Sequence, residues 1–335
     1  MGIGGRNVVI AFADGAFGAS LLTFAAHVSH SDDTVPHGTS MTRVMKPAPF
    51  KYIAAQSLAH ALAAKAEYGD EARFLAGGQS LVPTMNFRLA QPAVLIDINP
   101  LETLAGLSRV NDRAIRIGAL TRYRMLERDA RLAEAVPLIA EALPHIAHPQ
   151  IRNRGTIGGN LSHADPASEL PAIVVALEGR LRAQSARGER WIAASDFFLG
   201  PLTTALAKDE MLTEIELPVQ PARAGSSFME VARRKGDFAM LGIAAAVAVD
   251  DAGVCTRVRA ALCGADGTPL DVSDAAGALI GRGDLAAAVA DAASAVQQAI
   301  DPPGNLHADA GYQRHLAGVL AKRALTLAVE RARHG

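Results

Sequence analysis

Cysteine is nearly absent, with only Cys255 and Cys263 in 335 residues. One disulfide at most is available, which excludes a disulfide-built secreted scaffold and makes a reducing cytoplasm the default compartment. A four-thiolate zinc or iron–sulfur site cannot be built from this chain alone. Aromatic residues make up 4% of the sequence, too few for the stacking platforms of single-strand nucleic-acid binders. A charge excess is lacking too: 33 Lys and Arg against 34 Asp and Glu leave a formal charge of -1, so no global field draws the chain to nucleic acid or anionic lipid. No Gly-Lys dipeptide occurs, hence no P-loop, which argues against nucleoside triphosphate hydrolysis. The Rossmann fingerprint is missing as well, since Gly77-Gly78 lacks its spacing and Gly2-Ile3-Gly4-Gly5 precedes its strand instead of following one.

What is present is globular. Half of the residues are hydrophobic and a fifth charged, and at about 150 residues per domain the length suggests two domains. The one long apolar run, Val8 to Ala26, carries Asp14 at its middle with Gly15 and Gly18 close by, and only Arg6 as a basic flank. A carboxylate there is costly in a bilayer, and no small-residue cleavage site follows. Residues 1–40 are therefore read as an N-terminal extension outside the fold, a targeting peptide being the alternative, and no stable membrane span is expected.

Beyond Met41 the patterns mix helix and strand. Ala55 to Tyr68 reads as an amphipathic helix with Ser57 as a cap, and Leu58, Ala61, Leu62 and Lys65 at helical spacing. Strand-like runs follow at 72–76, 93–98 and 114–118. Pro137 to Ile146 and Pro166 to Leu177 read as helices with proline in the first turn. LRAQS, RWIA and MLTEIEL (211–217) look like antiparallel strands, and Pro218 to Gly225 reads as a linker. After it come three strand-like runs, FMEVARR, LGIAAAVAVD and VCTRVRAALC, and two Ala-rich helices near 284–300 and 311–333. Strands followed by helices predict a small α+β domain and argue against a doubly wound sheet.

Two glycine loops stand out, Leu75 to Leu81 after a strand and Gly155 to Asn160 before a helix. Each is a tight turn or an anion nest, in which successive amides converge on a phosphate. Two in one domain favour a diphosphate, and so a dinucleotide held by backbone amides outside the Rossmann fold. His145, His148, His163 and Asp165 allow a metal, although a helix-end histidine satisfied by carbonyls or solvent is the commoner case. Ser80 lacks the elbow glycine that a hydrolase nucleophile needs, because Val82 stands there. Arg233-Arg234-Lys235 is a solvated strand end or a cationic wall near a phosphate or acidic partner, and Arg152 and Arg154 flank the second loop.

AGGQSLVPTMNFRL (76–89), TIGGNLSHADPASELPA (156–172) and RRKGDFAML (233–241) together resemble the FAD-binding medium subunit of the molybdenum hydroxylases. That family includes carbon monoxide dehydrogenase, xanthine dehydrogenase, 4-hydroxybenzoyl-CoA reductase and the quinoline, nicotine and caffeine oxidoreductases. The resemblance runs from about Met45 to the C-terminus. It implies an α+β fold: a two-lobed FAD domain of the vanillyl-alcohol-oxidase type at 41–220, with lobes of about 41–100 and 101–220, and a small C-terminal domain at 221–335 with a three-stranded antiparallel sheet. It further implies that Leu75, Ala76, Gly77, Gly78, Gln79, Ser80 and Leu81, with Thr156, Ile157, Gly158, Gly159 and Asn160, wrap the FAD diphosphate and ribityl chain. Backbone amides and the Ser80, Thr156 and Asn160 side chains would make the contacts. Glu169 matches an acidic position near the flavin's sugar region, Leu212 an apolar contact, and Ile146 a position beside the cofactor.

By the same resemblance a large molybdopterin subunit and a small iron–sulfur subunit are partners, and electrons reach FAD here before passing to an external acceptor. No residue need act as acid or base on the organic substrate. The sequence departs from many relatives at Gln79, where they carry His, at Glu169, where they carry Asp, and at Met240, where eukaryotic xanthine dehydrogenases carry Lys. The glutamine variant resembles members that act on N-heterocycles. A self-contained flavin oxidase or reductase, and a non-catalytic FAD-binding assembly subunit, are the competing readings. Valine at Gly78 or Gly159 is expected to abolish flavin binding, by forcing a side chain between backbone and diphosphate; flavin absorbance retained by either purified variant would contradict this.

Overall fold

The computed structural model describes residues 46–334, and the expectation for residues 1–40 lies outside them. The chain opens with a three-stranded parallel sheet of order β1-β3-β2, from β1 (Lys51–Ala54), β2 (Ala72–Leu75) and β3 (Val94–Asp97). Central β3 is the most apolar of the three, as a strand flanked on both edges must be. The helix expected at Ala55 to Tyr68 is α1 (Leu58–Tyr68), shortened because Ser57 is extended and its hydroxyl accepts from the His60 amide at 3.1 Å. Lys65 is buried, its Nζ donating to the Gly69 and Ala72 carbonyls at 2.6 and 2.8 Å, and burial pushes its pKa down. A short helix, α2 (Leu81–Asn86), links β2 towards β3; the sequence reading had no helix there.

The next sheet is five-stranded and antiparallel, of order β4-β5-β10-β6-β7. Its strands are β4 (Leu107–Asn111), β5 (Ala114–Gly118), β6 (Arg180–Ser185), β7 (Gly188–Ala193) and β10 (Met211–Pro218), while β8 (Phe198–Gly200) and β9 (Thr203–Thr204) pair apart from it. The alternation of β10 divides its faces: Ile215 and Leu217 enter the core, while Glu214 and Glu216 meet Arg182 and Arg116 on the outside. Trp191 lies between Arg116 and Arg180, about 5 Å from each guanidinium.

Helices α3 (Pro137–Ala142), α4 (Ile157–His163) and α5 (Glu169–Ala176) cover the inner face. The two helices expected to begin at Pro137 and Pro166 are shorter than their patterns suggested. Pro166 lies in a turn, and α5 starts after Ser168. Every residue of α5 is buried, because it is packed between this region and the last sheet.

That last sheet has the order β11-β12-β13-β14, from β11 (Ala224–Ala232), β12 (Ala239–Val249), β13 (Cys255–Cys263) and β14 (Leu270–Asp271). The fourth strand corrects the expected three; two residues are too short a run to show alternation. Helices α6 (Leu285–Ala299) and α7 (Ala310–His334) cover one face, with Leu241, Ile243 and Val247 beneath them. The other face gives Phe228, Ala244, Ala261 and Cys263 to the core around α5. Cys255 and Cys263 are free, buried thiols in different cores. Where β11 begins, a Cβ on Gly225 would lie 2.1 Å from the Ala328 carbonyl and 2.5 Å from the Ala332 amide of α7. Since backbone cannot rotate away, Gly225→Ala is expected to lower stability by about 1–3 kcal/mol, measured as a lower denaturation midpoint in urea.

Candidate functional site

The two glycine loops meet. Gly77 faces the second loop so closely that a Cβ there would lie 2.5 Å from the Arg154 carbonyl and 2.9 Å from the Gly155 Cα. Across the same seam, a Cβ on Gly159 would stand 3.8 Å from that of Ala76. Gly78 has a φ of 72°, in the left-handed region, and turns the chain from β2 into α2. Through this turn the backbone N–H groups of Gly77, Gly78, Gln79, Ser80 and Leu81 have no acceptor among the described residues. Apart from exposed Ser80 the run is buried or half-buried, so its amides require a ligand or water, and successive free amides form a concavity suited to an anion. Gln79 does not close it, since its side-chain amide donates to the Gly77 carbonyl at 3.0 Å, and Ser80 is exposed.

The second loop is built differently. The amides of Ile157 and Gly158 donate to Thr121 and Ala119, that of Gly159 to the Thr156 hydroxyl, and that of Asn160 to the Thr156 carbonyl. These four amides, expected to wrap a diphosphate, are thus engaged within the chain, because the loop is the first turn of α4 and not a free turn before a helix. Its glycines serve packing: a Cβ on Gly158 would strike Ala119 at 2.4 Å, and one on Gly159 the capping hydroxyl at 2.7 Å. The Asn160 side chain exchanges hydrogen bonds with Ser168, at 2.7 and 3.0 Å, which ties this loop to the start of α5 and to Glu169. Ile146 and Leu212 are both buried in the main core, 4% exposed each.

Residues that the sequence reading did not select complete the seam. Asn99, read there only as a strand boundary, donates through Nδ2 to the Leu75 and Ala76 carbonyls at 3.2 and 2.8 Å. Arg122 donates to Asn99 Oδ1 and to the Arg154 carbonyl. Asp97 is buried enough to raise its carboxyl pKa, yet hydrogen bonds from Tyr52 and Asn99 and the charge of Arg122 hold it below the ordinary range. No local pattern marks such residues, since Tyr52, Asp97 and Arg122 come from separate segments.

Glu169 is 4% exposed, and burial pushes its pKa up to about 7, with the charge of Glu230 acting in the same direction. Glu230 accepts a hydrogen bond from His145 Nδ1 at 3.2 Å through Oε1, while its Oε2 is buried without a partner. The Glu230 contact raises the His145 pKa, and Phe228 meets the imidazole edge-on. His148 fills the space beside Gly236, while Arg233, Arg234 and Lys235 are exposed. Among the described residues no group of three His, Cys, Asp or Glu stands at metal-binding geometry. No described helix is long and apolar enough to cross a membrane.

Comparison with known proteins shows the family of the chain. Residues 48–220 match the family described as the FAD binding domain in molybdopterin dehydrogenase, and residues 226–328 the CO dehydrogenase flavoprotein C-terminal domain. The chain is 40% identical to the 6-hydroxypseudooxynicotine dehydrogenase complex subunit alpha of Paenarthrobacter nicotinovorans, over 86% of this chain and 97% of that one. It is 38% identical to the caffeine dehydrogenase subunit beta of a Pseudomonas species, over 87% and 98%. A solved structure of carbon monoxide dehydrogenase from Hydrogenophaga pseudoflava superposes with a TM-score of 0.82 at 37% identity, over 85% of this chain and 99% of that one.

The buried carboxyl gives a pH signature. Folded Glu169 keeps its proton to about 7, against 4.5 in the unfolded chain, so the folded state holds more protons between those values. The Glu169 contribution to stability therefore falls as pH rises from 4.5 to 7, by an amount on the order of 3 kcal/mol. The raised pKa of His145 adds loss in the same sense at higher pH. Glu169→Gln is expected to remove the Glu169 part, gaining stability over the parent above pH 7 and little below pH 4.5, as measured by denaturant titration across that range.

Proposed function

The chain belongs to the FAD-binding medium subunits of the molybdenum hydroxylases, and from that premise we propose that it is the electron-transfer subunit of such a complex. The observation that carries the reading is the run of free amides from Gly77 to Leu81, closed against the second loop by Gly77 and Gly155. The donor set fits the diphosphate of FAD: five N–H groups, no carboxylate paired with Arg122 or Arg154 among the described residues, and an open turn without side chains at 77 and 78. Leu75 to Leu81 form the anion-facing wall. Thr156 to Asn160 hold the opposite wall rigid through their internal hydrogen bonds, with Glu169 at its end. Ile146 and Leu212 support the site from the core. Bound there, FAD supplies the one- and two-electron chemistry, and the protein contributes position, local field and exclusion of side reactions.

Partners follow from the family, and the cysteine count agrees, since two buried thiols in separate cores cannot ligate an iron–sulfur cluster. In this reading a small iron–sulfur subunit delivers the electrons and a large molybdopterin subunit oxidises the substrate, a small aromatic or N-heterocyclic compound. An external acceptor then takes the electrons, and the complex works in the reducing cytoplasm. We divide the chain into the FAD domain at 41–220, with lobes of about 41–100 and 101–220, and the C-terminal domain at 221–335. The full-length protein purified alone is expected to carry about one FAD per chain, with neither iron nor molybdenum; an absorption spectrum, mass identification of the released cofactor and metal assay check this. Failure to take up flavin even on reconstitution with FAD would overturn the reading.

A further inference from the structure

We propose that Arg122, acting through Asn99, is a positioning residue of the anion cradle, setting the distance and direction at which the free amides of the first glycine loop face a diphosphate. The proposal rests on the reading of the cradle as the FAD diphosphate site and adds the group that shapes it. The backbone of Arg122 is bridged to Thr156, with Tyr123 N donating to the Gly155 carbonyl and Ile157 N to the Thr121 carbonyl, each at 3.1 Å. Arg122 is therefore fixed to the second loop. Its side chain crosses to the first, where Asn99 accepts from it and itself holds the Leu75 and Ala76 carbonyls.

The consequence follows from peptide geometry. In a planar trans peptide the C=O and the following N–H point in opposite directions. With the Ala76 carbonyl turned to Asn99, the Gly77 N–H must point away from it, as the first of the free amides. Asp97 completes the strut from behind, accepting from the Asn99 amide at 2.9 Å and Nδ2 at 2.5 Å, with the Tyr52 hydroxyl on its other oxygen. Asn99 is thereby held in one orientation.

Charge points the same way. Arg122 is half-buried beside the like charge of Arg154, and burial with that charge lowers its pKa. Among the described residues neither guanidinium has an ion-pair partner. Asp97 acts on Arg122 across Asn99 and offsets part of its charge, while Arg154 adds a second cation on the facing loop; with five unpaired amides, this seam favours a bound anion.

The test uses the full chain stripped of flavin, titrated calorimetrically with FAD and with ADP, for the parent, Arg122→Ala, Arg122→Lys and Gly78→Val. Arg122→Ala is expected to weaken FAD and ADP alike by about tenfold, which is about 1.4 kcal/mol, and to flatten the salt dependence of both. Arg122→Lys restores the salt dependence but not the full affinity, because an ammonium cannot span the two acceptors as the guanidinium fork does. Arg122→Gln, which keeps a donor for Asn99 without the charge, replaces the alanine variant if that variant does not fold. Unchanged FAD and ADP affinities with only a lower melting temperature would overturn the proposal. If Arg122→Ala binds normally while Gly78→Val loses FAD, the strut fails and the cradle stands; if Gly78→Val also binds FAD normally, the cradle itself fails.

Discussion

The close approach of Gly77 to Arg154 and Gly155 is the constraint on which the site depends. A side chain at Gly77 would meet backbone on the facing loop, and backbone cannot swing aside. Only glycine lets a loop of the parallel sheet lie directly on a loop that belongs to the antiparallel one. With that contact made, the turn at Gly78 leaves its amides uncovered, and Asn99 and Arg122 fasten one loop to the other. The two loops divide the work: the first keeps its donors free, and the second spends its own on capping α4 and on Thr121 and Ala119.

The β11–β14 sheet ties the C-terminal part to this arrangement by serving two cores at once. Leu241, Ile243 and Val247 pack beneath α6 and α7, while Phe228, Ala244 and Cys263 pack toward α5. Burial of α5 on all sides explains why Glu169 is dehydrated, and why β11 can place Glu230 close enough to matter to it. A carboxyl held in such a place costs stability at neutral pH. Its retention beside the second glycine loop, through the Asn160–Ser168 pair, places that cost at the site and not in an indifferent part of the core.

Much of this was legible from local signals. Ser57 and the spacing of Ala61, Leu62 and Lys65 marked α1; the alternation of MLTEIEL marked β10; the order of three strands and two helices marked the C-terminal α+β unit. The misses have physical causes. Helix α2 is six residues long and carries proline, so no periodicity develops, and β14 has only two residues. That the amides of the second glycine loop are engaged within the chain was not legible either, since glycine permits both close ligand approach and close packing, and sequence does not distinguish them.

The sequence by itself determined which chemistry was open to the chain. Two cysteines, no P-loop, no Rossmann spacing and two glycine loops are properties of residue identity, and they restrict function wherever the residues fall in space. Only the tertiary structure decided which loop keeps its amides free, and that Tyr52, Asp97, Asn99 and Arg122 stand together behind it. Hydrogen-bond partners and burial are relations between segments far apart in the chain. An asparagine before a proline or an arginine after a threonine carries no local mark of the contact that gives it a role.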